Sequence, residues 1–107
     1  MKRVVVTGMG LITPLGVGVE HNWRRLTAGH SGARTITEFE TSDLRCKIAC
    51  FVPRGTGEGE YDADAWVPSS ERRKMDEFIV YGLVAATQAV QDCGWAPQTD
   101  EDRYRTG

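Results

Sequence analysis

The apolar positions of this chain fall into three patterns, each predicting a different element. Residues 4–6 are three valines in succession, a β-branched run that reads as a short buried strand. Over residues 19–28, Val19, Trp23 and Leu26 fall at i, i+4 and i+7, a single stripe that predicts an amphipathic helix packed on that strand. Glu20 lies near the helix's positive end, and Gly29 is placed for a left-handed stop. From residue 71 to residue 93, Met75, Phe78, Ile79, Leu83, Ala86, Ala89, Val90 and Cys93 keep a 3.6-residue period. They predict one long helix ended by Gly94. Charges are sparse between residues 78 and 90, so this helix reads as apolar nearly all round and buried. Its small residues, Gly82, Ala85, Ala86 and Ala89, suit close approach to a neighbour.

Polar and glycine-rich stretches divide these elements. Gly8, Gly10, Gly16 and Gly18, with Thr7, Thr13 and Pro14, form a loop that must turn tightly and admit other backbone. Residues 30–43 read as a loop tacked down by Ile36 and Phe39. Residues 46–52 read as a short strand closed by Pro53. Residues 54–60, three glycines among charges, read as a mobile loop, and residues 61–66 as one helical turn. Pro68, Ser69, Ser70 and Glu71 suit a helix start. Thr99 is placed to cap a short acidic helix.

The glycine loop invites two readings that fail. Gly8-Met9-Gly10 begins like a dinucleotide fingerprint, but Thr13 occupies the third glycine position and Pro14 disfavours helical geometry there. A nucleotide-binding α/β enzyme is therefore the weakest of the alternatives. Lys2 and Arg3 precede an apolar run, as in a secretory leader, yet glycines and Pro14 interrupt it and no small-x-small site follows.

Composition narrows the class. With 107 residues, 40% apolar and 26% charged, the chain resembles ordinary globular material of single-domain size. A net charge of −2 offers no broad basic field for nucleic acid. No run approaches a membrane span. Three cysteines, an odd number, fit a reducing compartment, so a cytoplasmic location is expected. The inventory of elements is nonetheless incomplete. One strand needs neighbours, and a buried helix needs a layer on each side. The expectation is a piece of a larger α/β domain.

Three segments then carry a family resemblance: VVVTGMGLITPLGVGVEHNWRRLTAGHSG, the Phe39-Glu40-Thr41-Ser42 stretch, and ERRKMDEFIVYGLVAATQAVQDCGW. In order along nearly the whole chain, they are similar to the N-terminal part of a β-ketoacyl-[acyl-carrier-protein] synthase of the elongating synthase II type. The resemblance implies the N-terminal half of a thiolase-like fold, here partial, across residues 1–107 with no complete domain. It implies a homodimer, acyl-carrier protein as partner, and condensation of an acyl group with malonyl-carrier protein, with decarboxylation. It implies no cofactor. The family's cysteine nucleophile and its two histidines match no position here, so no catalytic residue is assigned and the segment is expected to be inactive alone. The alternative is a stand-alone carrier-protein-binding or scaffold module.

Residues of catalytic type receive plain readings. Cys50 superficially matches an Ala-Cys motif but lacks the small-residue turn that should follow, and reads as a small apolar strand residue. Cys93 closes the apolar stripe of the long helix. Cys46 and Cys50 with His21 and His30 do not make a zinc spacing, so no metal site is assigned. Both histidines read as solvated.

One cluster has a functional case. Arg72, Arg73 and Lys74 are expected in the first turns of the long helix, where the macrodipole disfavours cations. Local pairs, Arg72 with Asp76 and Arg73 or Lys74 with Glu77, offset that only in part, because the cation comes first in each. Such a cluster suits docking of an anionic partner. The resemblance points the same way, since family members hold the carrier protein with basic residues at the positions of Arg73 and Lys74.

Overall fold

Glycine, proline and the helix caps divide residues 1–107 of the computed structural model into four short strands and five helices. β1 (Ile12–Thr13) and β2 (Gly16–Val17) form a tight antiparallel hairpin around Pro14 and Leu15. α1 (Val19–Thr27) follows at once, and Gly29 supplies the left-handed residue beyond its end, φ 78°. β3 (Ala33–Thr35) pairs antiparallel with β4 (Ile48–Cys50), Arg34 opposite Ala49. α2 (Ala63–Trp66), α3 (Ser69–Arg72), α4 (Glu77–Cys93) and α5 (Asp100–Tyr104) complete the chain. No helix is long and apolar enough to cross a membrane.

The core is small. Tyr61, Val67, Val80 and Val84 are buried together, with Ile12, Val17, Trp66 and Met75 against them. It joins the β1–β2 hairpin, α2 and the N-terminal half of α4. Around it the chain is open. The radius of gyration is 17.5 Å, against about 13 Å for a compact domain of this length. The accessible surface is 8485 Å², against roughly 6,000 Å² for a compact monomer of this mass.

That openness corrects three expectations. Residues 4–6 belong to no strand, and all three valines are exposed, Val4 to 94%. Their backbones make no hydrogen bond to any other backbone segment. The α1 stripe therefore does not pack on them. Trp23 and Leu26 instead face an apolar cavity of about 800 Å³ shared with Met9, Leu11 and Cys50. The long helix is real but not buried: only Val80 and Val84 are covered, while Phe78, Ile79, Leu83 and Val90 face outward.

The long helix also starts later than its apolar period suggests. α3 ends at Arg72. The next turn tightens, with the Lys74 amide donating to the Glu71 carbonyl (3.0 Å) and the Met75 amide to the Arg72 carbonyl (3.3 Å). Asp76 is then extended, φ −72° and ψ 157°, and begins α4 afresh. A break of one extended residue leaves the spacing of apolar positions nearly intact, so periodicity does not reveal it. Gly94 ends α4 in the left-handed conformation, φ 64°.

The connecting segments hold two further differences. The stretch 30–43 contains β3, and Phe39 is exposed rather than anchoring, whereas Ile36 is half-buried. The glycine-rich stretch 54–60 is tied down. Gly59 accepts from the Val17 amide (2.9 Å), Glu60 closes a turn on the Gly57 amide (2.9 Å), and the Tyr61 amide donates to Pro53 (2.7 Å).

The glycine loop packs as its composition suggests. Gly8 and Gly10 lie directly on α4. A Cβ at Gly10 would collide with the Ala85 carbonyl and come within 2.8 Å of Gln88 Cβ; one at Gly8 would collide with the Ala89 carbonyl. The small residues of α4 thus meet the glycines of the loop. Gln88 fixes the pairing at both ends of one residue, accepting from the Leu11 amide (3.2 Å) and donating to the Leu11 carbonyl (3.1 Å). Asp92 accepts from the Met9 amide at 3.0 Å.

Candidate docking site

The basic cluster is built from the α2–α3 corner. Asp62 caps α2 by accepting from the Asp64 amide at 3.1 Å. Val67 is extended and buried, and Pro68 leads into α3. Arg72 folds back over this corner. Its Nε donates to the Val67 carbonyl at 2.9 Å and its guanidinium pairs with Asp64. Arg72 is half-buried and committed to the chain itself. Lys74 is exposed and makes an i, i+3 pair with Glu71 at 3.2 Å, a surface contact worth at most about 1 kcal/mol. Arg73 is exposed and makes no ion pair or side-chain hydrogen bond. The three cations thus divide into one clamp and two outward charges.

None of the anticipated pairs to Asp76 and Glu77 forms. The break at Asp76 removes the common helical face on which residues four apart meet. Glu77 instead pairs with Arg54 at 2.8 Å. Arg54 also donates to the Tyr81 hydroxyl (3.3 Å), and its guanidinium lies 5.4 Å from the Tyr61 ring centroid. Tyr61 and Tyr81 meet edge to face, centroids 5.3 Å apart. Burial pushes both tyrosine hydroxyls above their ordinary pKa.

The cysteines and histidines are scattered. Cys46 and Cys50 are exposed, Cys93 is half-buried, and all three are free thiols. No group of three His, Cys, Asp or Glu side chains converges. His30 is exposed, but His21 is not solvated as its position suggests. Its ring lies against the backbones of Gly16 and Gly59, and its Nδ1 is buried without a partner. Gly16 and Gly59 both have positive φ, 135° and 72°, so the ring fills space that no side chain there could occupy.

Sequence reasoning missed Asn22. It is buried within α1, donates to the carbonyls of Gly16 (2.8 Å) and Gly18 (2.7 Å), and bonds the Thr13 hydroxyl. The Thr13 hydroxyl in turn accepts from the Leu15 amide at 3.0 Å. These bonds hold the β1–β2 turn against α1. The available signal was an amide residue one turn after two glycines whose carbonyls need donors.

The site is thus a glycine loop laid on a small-faced helix, with a two-charge basic corner beside the helix start. The model of the family described as β-ketoacyl synthase, N-terminal domain, matches residues 1–107, and the chain belongs to that family. It is 51% identical over 108 aligned residues to the 3-oxoacyl-[acyl-carrier-protein] synthase 2 of Rhizobium meliloti (strain 1021), covering 100% of this chain and 26% of that one. It is 41% identical to the mitochondrial 3-oxoacyl-[acyl-carrier-protein] synthase of Arabidopsis thaliana, covering 99% of this chain and 25% of that protein. Among solved structures, the ishigamide ketosynthase/chain length factor matches with a TM-score of 0.66 and 37% identity, over 92% of this chain and 22% of that one. The chain spans about a quarter of the length of the curated relatives it matches.

Proposed function

We propose that this chain is the N-terminal part of a β-ketoacyl-[acyl-carrier-protein] synthase that elongates fatty-acyl chains. The parent enzyme condenses an acyl group with malonyl-acyl-carrier protein, releasing carbon dioxide. The observation that carries this reading is the 51% identity to a synthase 2 along the whole chain. The surplus exposed surface supports the view that residues 1–107 do not form a complete domain: the valines at 4–6 and the outer face of α4 are apolar surfaces of the kind the rest of a domain covers. In the same reading the parent enzyme is a cytoplasmic homodimer and needs no cofactor. The segment is inactive alone, because its cysteines and histidines do not converge.

In this proposal Arg73 and Lys74 dock the carrier protein, and Arg72 holds the corner that presents them. Acidic partners are steered by such outward, unsaturated cations. The test is steady-state kinetics on the full enzyme with Arg73→Glu and Lys74→Glu. The expected result is a rise of about tenfold or more in KM for carrier-borne acyl groups, with little change toward a small acyl thioester. Equal losses on both substrates would remove the docking role. An inactive full-length enzyme that binds no carrier protein would remove the synthase reading itself.

A further inference from the structure

The corner that carries the basic cluster also encloses a cavity of about 330 Å³, open to solvent on one side of α3. Its walls include Arg54, Arg72, Arg73, Ser69, Tyr61 and Glu77. Arg54, Arg72 and Arg73 therefore line one recess, with Glu77 in its wall and Asp64 already paired to Arg72. Arg72 has its Nε and one terminal nitrogen engaged, Arg54 is shared between Glu77 and Tyr81, and Arg73 is unpartnered. Tyr61 is 2% exposed, and its hydroxyl has no hydrogen-bond partner. A buried hydroxyl without an acceptor is costly, and here it stands in a wall of cations.

We propose that this cavity is an oxyanion site that takes one phosphate group, either free or as a phosphomonoester. Donors come to the recess from three places in the chain: residue 54, residue 61 and the 69–73 segment. A tetrahedral oxyanion accepts from several directions at once, whereas a carboxylate is satisfied by one planar fork. Guanidinium groups are the usual partners of phosphate for the same geometric reason. Glu77 competes with the ligand for Arg54, so the site is tuned to be weak and reversible. The site shares Arg73 with the proposed carrier docking but is read through Arg54 and Glu77, and its test needs no carrier protein.

The test is titration of the full protein chain with inorganic phosphate at fixed ionic strength, followed by the NMR shifts of residues 54, 61, 69 and 73. The expected result is saturable binding with a dissociation constant on the order of millimolar. Arg54→Gln is expected to weaken it by about tenfold. Glu77→Gln is expected to strengthen it severalfold, a gain that misfolding cannot produce. Arg103→Gln, a remote cation, leaves it unchanged. Shifts that grow without saturating, or weaker binding in Glu77→Gln, would overturn the site. Acetate binding as tightly as phosphate would overturn its assignment to phosphate and point to an acidic side chain of a partner.

Discussion

Asn22 places its amide nitrogen 2.8 Å from the Gly16 carbonyl and 2.7 Å from that of Gly18, so a single buried side chain satisfies both ends of the turn that leads into α1. Asn22→Ala would leave two carbonyls and the Thr13 hydroxyl without that partner. The expected loss is about 2–4 kcal/mol of stability, read by denaturant unfolding of the full chain. Thr13→Ala should cost less, because the Asn22 amide keeps both carbonyls.

Gly10 and Gly82 offer opposite outcomes for the same substitution. A methyl at Gly10 meets the backbone of α4, whereas nothing lies within 4 Å of one at Gly82. Gly10→Ala should destabilise by roughly 1–3 kcal/mol through forced separation of loop and helix. In the 107-residue chain, Gly82→Ala should raise stability by about 0.5–1 kcal/mol, since it lies inside α4. Thermal unfolding of the two variants side by side checks both signs.

Arg72 and Arg73 are neighbours with different expected costs. Arg72→Ala removes the bond to the Val67 carbonyl and the pair with Asp64, and should cost about 1–2 kcal/mol. Arg73→Ala breaks no intrachain bond and should lie within about 0.5 kcal/mol of the parent. Equal losses in the two variants would contradict the division into clamp and outward charge.

Acid should loosen α5 before the rest of the chain. The Thr99 backbone amide, and then its hydroxyl, hold the Asp102 carboxyl below its ordinary value of 3.8. A carboxyl depressed on folding adds stability above its unfolded pKa, and that stability is lost as pH falls through the depressed value. Amide exchange at residues 99–104 should therefore accelerate below about pH 4 relative to α4. Thr99→Ala, which removes the hydroxyl of the capping box, should shrink that difference.

Much of the site was legible for a local reason. The amphipathic stripe of α1, the Thr99 cap of α5 and the stops at Gly29 and Gly94 depend on neighbours within one helical turn. Glycines at 8 and 10 and alanines at 85 and 89 also announced a close approach, although nothing in the sequence paired one set with the other. The basic triplet was visible as charge, but its division was not. Arg72 finds Asp64 eight residues away, around a corner, and Glu77 is drawn off to Arg54. The Tyr61–Arg54–Glu77 contact joins residues up to 23 apart, since 77 − 54 = 23, and no periodicity encodes it.

By itself the sequence determined where helices can start and stop, which residues must be small, and which family the motifs resemble, because each rests on short-range sterics or on spacing along the chain. Only the tertiary structure decided which apolar faces are covered. The valines at 4–6 have the composition of a buried strand and remain exposed, since burial requires a partner surface and backbone pairing requires a neighbouring strand. The same holds for the outer face of α4. The tertiary structure also decided that Asp76 breaks the long helix, that His21 fills the space between two glycines, and that three arginines enclose one cavity. Those outcomes depend on which distant segments meet, and contact between distant segments is set by packing rather than by local preference.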